Sequence, residues 1–150
     1  MHEALFYEKC ADNTVICRLC PHECKISGGK KGLCRVRQNI DGTLHSQVYG
    51  KCIAENADPI EKKPLFHCQP GSRSYSMATV GCNMRCKHCQ NADISQMPND
   101  RGIIMGSDLT PEDIVSGAKR TDCASISYTY TEPTIYFEYM HATAQIAHAA

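Results

Sequence analysis

The sequence predicts an α/β fold in which successive strands run parallel and are joined by helices. Three segments point to it. Ser74 to Gly81 (SYSMATVG) is a short, largely small-residue and apolar run closed by glycine, the pattern of a buried strand. Thr110-Pro111-Glu112-Asp113 has the chemistry of a helix start: a capping hydroxyl, proline in the first turn, and two acids facing the positive helix end. Cys123 to Tyr130 (CASISYTY) is a second strand, followed by Ile135, Tyr139, Ala142 and Ile146 at helical spacing. Strand, helix, strand, helix implies parallel strands with right-handed crossovers.

The first helix is expected to end near Arg120, whose charge suits the negative helix end. The stretch from Cys82 to about Thr110 reads as one long loop, and the second helix as starting at Pro133. Residues 1–71 differ in character, being rich in cysteine, glycine and basic side chains. Gln69-Pro70-Gly71 is therefore the expected boundary between a Cys-rich N-terminal segment (1–71) and the α/β part (72–150). The last helix reaches Ala149-Ala150 without a terminating glycine, asparagine or proline. Two strand–helix units also leave a strand edge uncovered. The expectation is an N-terminal portion of a longer protein, unable to turn over substrate by itself.

Several function classes are disfavoured by composition. A formal net charge of +0 gives no basic excess for nucleic acid. No run approaches the roughly 18 apolar residues of a membrane span. MHEALFYEKC lacks the basic-then-apolar order of a secretory signal, so a cytoplasmic location is expected. Without an export signal, 11 cysteines point to metal ligation rather than a disulfide framework.

Cys82-Asn-Met-Arg-Cys86-Lys-His-Cys89 has the spacing C-x3-C-x2-C and follows directly on the first strand. That is the carboxyl end, where parallel α/β folds place their sites. Three thiolates can hold three corners of an iron-sulfur cube, whereas a closed electron-transfer cluster takes four cysteines. No fourth follows before Cys123. One iron would be left open, as chemistry at a metal requires. The competing reading is a structural zinc site completed by His88 or a distant cysteine.

This triad in this position resembles the cluster loop of the radical S-adenosylmethionine (SAM) superfamily. GCNMRCKHCQNADISQ, DPIEKKPL and LCPHEC more closely resemble the radical enzyme of the AmmeMemoRadiSam system, related to pyruvate formate-lyase activating enzymes. The resemblance runs from about Val15 to Tyr139. It implies the first units of a partial (β/α) barrel, a 4Fe-4S cluster on Cys82, Cys86 and Cys89, and SAM chelated to the open iron. One electron then yields methionine and a 5′-deoxyadenosyl radical that abstracts hydrogen from a substrate the residues do not identify. It further implies a one-electron reductant such as flavodoxin or ferredoxin, and the other two proteins of that system as partners. Glu132, in Thr131-Glu132-Pro133 where related enzymes have Gly-Glu-Pro, is implied as a contact for the amino group of SAM. The alternative is a carboxylate that only completes the first turn of the next helix. His88 is implied near the adenine, although a solvent-facing histidine accounts for it nearly as well. The remaining alternatives are a glycyl-radical activase, a non-catalytic iron-sulfur electron carrier, and a zinc-stabilised interaction module.

Cys17, Cys20, Cys24 and Cys34 form a second group, with Pro21, Gly28, Gly29 and Gly32 permitting tight turns. Zinc or a second iron-sulfur cluster would suit them, with His22 able to replace one thiol. Cys10, Cys52, Cys68 and Cys123 are expected as small buried hydrophobes. Asp58 to Leu65 reads as a solvated charged turn.

Overall fold

A computed structural model describes all of residues 1–150. The chain begins with two small antiparallel sheets. β1 (His2–Glu3), β5 (Arg37–Ile40) and β6 (Thr43–Ser46) pair in the order β1-β6-β5, and β2 (Tyr7–Lys9), β3 (Val15–Cys17) and β4 (Lys25–Ile26) in the order β2-β3-β4. Ala4, Val15, Cys17, Ile26 and Leu44 form the small core between them.

A short β7 (Lys51–Cys52) leads into β8 (Ala54–Pro59) and a 3-10 turn over Ile60–Lys62, then β9 (Arg73–Ala78). β8 lies antiparallel to β9, so residues before Gln69 belong to the same sheet as the first predicted strand. After β9 come α1 (Ala92–Ser95), α2 (Met97–Asp100) and β10 (Ser107–Asp108), then α3 (Pro111–Arg120), β11 (Ser125–Tyr128), a 3-10 turn over Pro133–Tyr136 and α4 (Phe137–Ala149). The fold is mixed α/β, and β11 pairs parallel to β9 with Ser125 opposite Ser74 and Tyr128 opposite Met77. The expected long loop is thus broken by two helical turns and a two-residue strand paired to β7. Elements of four residues or fewer are too short for periodicity to register.

α3 spans the predicted residues, and its start shows why. Asp113 N–H donates to Thr110 Oγ1 at 3.2 Å while Thr110 N–H donates to Asp113 Oδ2 at 2.8 Å, a reciprocal capping box. Thr110→Ala should cost about 1 kcal/mol, read as a lower urea midpoint with an unchanged slope.

β9 is buried from Ser74 to Ala78, as a strand covered on both faces must be. Its alternation sorts chemistry between the faces. Tyr75 and Met77 pack with Ile114, Ala118 and Tyr139 of the two long helices. Gly117 permits that approach, since a Cβ there would lie 2.6 Å from the Tyr75 hydroxyl. Ser74 and Ser76 occupy the other face, where Ser74 Oγ meets Ser127 Oγ at 2.6 Å and Ser76 donates to Asp58 Oδ2 at 2.8 Å.

A third core joins the N-terminal segment to this sheet: Val36 and Val48 from the former pack with Val80, Ile135 and Tyr136 from the latter. Beside it lies a fully buried ion pair. Arg37 Nη2 donates to Glu138 Oε1 at 2.7 Å and Oε2 at 2.5 Å, and Leu5 N–H donates to Glu138 Oε1 at 2.7 Å. No helix is long and apolar enough to cross a membrane.

Candidate cofactor site

Cys82, Cys86 and Cys89 sit on one loop at the carboxyl end of β9, between Gly81 and α1. The fold reaches this point by a sharp turn at Gly81, whose φ of 96° is in the left-handed region. Met84 N–H donates to Cys82 Sγ at 3.4 Å, and Cys89 Sγ lies 3.4 Å from the hydroxyl of buried Ser95. Gly81 N–H donates to Ile94 O at 3.1 Å and Gln96 Nε2 to Met84 O at 3.1 Å, tying the first part of the loop to the helical turns that follow. Cys82 and Cys89 are half-buried and Cys86 is exposed.

The chemistry of this donor set fits a cluster with one open iron: three free thiols on one loop, one already receiving an amide hydrogen, and no carboxylate among them. The sulphurs do not converge, however. No group of three or more His, Cys, Asp or Glu side chains is gathered closely enough to hold a metal ion. The exposed loop would have to close around its cluster, as metal sites commonly do when binding and local ordering are coupled.

Beside the loop, at the ends of β9 and β11, lies an open polar trough of about 880 Å³. Gln90 and Asn91 line one side, Ser127 to Thr131 another, and Lys62 and Lys63 a third. Asn91 Nδ2 donates to Tyr130 O at 3.0 Å, linking the cysteine loop to the end of the second strand. Thr131 Oγ1 donates to Thr79 O at 2.9 Å, linking the two strand ends directly. The left-handed residue of this turn is Tyr130, with φ of 66°, and Thr131 is free of that strain although a glycine was the expected form. Burial raises the Tyr128 phenol to about 12, so the wall it contributes is neutral at physiological pH.

Glu132 is half-buried and caps its own 3-10 turn. Its Oε1 accepts from Thr134 N–H at 3.3 Å and Thr134 Oγ1 at 2.6 Å. Oε2 takes part in neither bond. His88 is exposed on the loop.

Asp58 corrects the expected solvated turn. It is buried and accepts from Lys62, Lys63, Ser76 and Tyr130, each at 2.8 Å. Lys63 Nζ also lies 5.0 Å from the centre of the Tyr130 ring. Burial alone would raise this carboxyl, but the four donors together hold it well below the usual carboxylate range. A depressed acid contributes stability above its unfolded value of about 3.9, lost as pH falls through the folded value. Asp58→Asn should therefore be less stable than the parent at pH 6, with the difference shrinking as pH drops below about 4. Urea midpoints across that range give the check. The i,i+4 spacing of Asp58 and Lys62 was the one sequence signal for this hub.

Cys17, Cys20, Cys24 and Cys34 line one small cavity together with Asn83 of the cysteine loop. Burial pushes the Cys17 and Cys34 thiols up, opposed by the backbone amides of Leu19 at Cys17 and of Val36 and Arg37 at Cys34. His22 Nε2 lies 2.8 Å from Asn83 O. All 11 cysteines are free thiols. Of the scattered ones, Cys52 is buried and Cys123 half-buried, but Cys10 and Cys68 are exposed, on connecting segments that no further element covers.

Residues 77–150 match the sequence profile of the Radical SAM superfamily. The chain is 52% identical over 147 residues to the uncharacterized protein MJ0808 of Methanocaldococcus jannaschii, covering 98% of this chain and 44% of that protein. A second protein of the same organism, the uncharacterized MJ0674, is 29% identical over 90 residues, or 58% of this chain and 21% of its own length. The chain thus spans less than half the length of either relative. No solved structure matches. The residues that match that profile, 77–150, include the loop of Cys82, Cys86 and Cys89.

Proposed function

We propose that the chain forms the cluster-bearing part of a radical SAM enzyme, with Cys82, Cys86 and Cys89 holding a 4Fe-4S cluster and leaving one iron to SAM. The observation that supports this best is the position of the three thiols: one loop, directly after β9, within the matched residues. When bound, the cluster and SAM supply one-electron cleavage of the sulfur–carbon bond, giving methionine and a 5′-deoxyadenosyl radical able to take hydrogen from a C–H bond.

The chain's own residues hold and shield these groups. The Met84 amide is a donor to a Cys82 thiolate, a contact that strengthens when the sulphur is charged. Ser95 plays the same part at Cys89. Glu132, with Oε1 held by Thr134, presents Oε2 to the ammonium of SAM. The trough between Lys62, Asn91 and Tyr130 then receives the reacting part of the substrate. The electron comes from a flavodoxin- or ferredoxin-type reductant. The AmmeMemoRadiSam resemblance is the closer assignment we propose, with the other two proteins of that system as partners and the remaining barrel strands supplied by a longer chain.

Anaerobic reconstitution should load about four irons and four sulfides per chain. Cys82→Ala, Cys86→Ala and Cys89→Ala should each lose most of both. Zinc on the triad in place of iron and sulfide would contradict the assignment.

A further inference from the structure

We propose that Cys17, Cys20, Cys24 and Cys34 bind a single zinc ion as four thiolates, and that this ion fixes the support on which the Cys82 loop rests. The thiols come from the end of β3, the turn between β3 and β4, and the loop before β5. They line a cavity of only about 20 Å³. That is room for one water-sized occupant, the size of a single ion.

One feature of the wall prepares it for charged sulphur. Arg37, 2% exposed, lines the same cavity. Its Nη atoms are engaged by Glu138 and Leu5, but its buried Nε has no partner. An orphaned buried cationic donor beside four thiols finds its complement in a four-thiolate zinc centre of net charge −2. His22 Nε2 faces the Asn83 carbonyl and therefore carries the proton, so the histidine is tied to the neighbouring loop. The four sulphurs, like those of the Cys82 loop, do not yet converge on one point; zinc binding displaces one proton from each thiol and turns the side chains inward as the metal orders the turns.

The site touches the radical loop at two points. His22, between Cys20 and Cys24, holds the carbonyl of Asn83, the residue after Cys82. Val36, two residues after Cys34, packs where a Cβ on Gly81 would stand only 2.5 Å from its Cγ1. Zinc at the four thiols therefore sets the position of both ends of the Gly81-Cys82-Asn83 turn.

The test is elemental analysis of the 150-residue chain in which Cys82, Cys86 and Cys89 are all alanine, so that failure of the radical assignment cannot affect it. About one zinc per chain should remain, and adding Cys20→Ser or Cys24→Ser should lower zinc roughly tenfold or more. Should those variants not fold, titration of the metal-free parent with cobalt(II) decides. Intense visible bands of a tetrahedral thiolate complex, displaced by one equivalent of zinc, support the site. Negligible zinc, zinc insensitive to the serine changes, absence of those cobalt bands, or retained iron and sulfide would each overturn it.

Discussion

Glu138→Ala is expected to destabilise the chain by about 3–5 kcal/mol, the cost of leaving a buried charge without its partner. Both members of the pair are almost wholly buried, with side-chain exposures of 2% for Arg37 and 1% for Glu138. The substitution strands the guanidinium and also removes the acceptor of the Leu5 amide. Against a typical total of about 5–15 kcal/mol, that is a large fraction of stability. For a chain of this size it corresponds to a melting temperature lower by roughly 6–20 °C. The partner experiment separates pairing from packing: Arg37→Met with Glu138→Leu should recover much of the loss, because two apolar side chains leave no charge behind. Chemical denaturation gives both numbers. A Glu138→Ala variant within about 0.5 kcal/mol of the parent would show that the pair is not buried in solution.

Gly81→Ala should cost about 2–4 kcal/mol through two separable effects. The backbone there has φ of 96°, where a side chain adds strain of about 1–2 kcal/mol. The new Cβ would also lie 2.5 Å from Val36 Cγ1 and 3.2 Å from Cys34 O, an overpacking of about 1–3 kcal/mol. Adding Val36→Ala should relieve the Val36 part of the second effect, leaving the Cys34 contact and the backbone strain, and so give a favourable coupling in a double-mutant cycle. Because Gly81 precedes Cys82, iron incorporation on reconstitution should fall with stability. An alanine variant as stable as its parent would mean that the turn at the head of the loop is not the one described.

The parallel strands, α3 and the position of the three thiols were legible because each rests on local chemistry. Thr110, Pro111 and Asp113 encode a helix start within four residues, and a buried strand closed by Gly81 needs no distant partner to be recognised. The contacts that organise the site are of another kind. Arg37 and Glu138 are separated by 101 positions, and Asp58 and Tyr130 by 72. Neither pair leaves a mark in periodicity, and a charged DPIEKKPL segment in isolation has the composition of a solvated turn. The division at residues 69–71 is likewise a composition boundary across which β8 and β9 pair. Thr131 looked like a departure from the glycine of related enzymes, yet the strained residue is its neighbour Tyr130.

An open iron held by Cys82, Cys86 and Cys89 would show in the electron paramagnetic resonance spectrum of the anaerobically reconstituted, reduced protein. A reduced-cluster signal that changes on addition of SAM and is absent from Cys82→Ala is expected. A signal that SAM leaves unmoved, or one that survives Cys82→Ala, would contradict it.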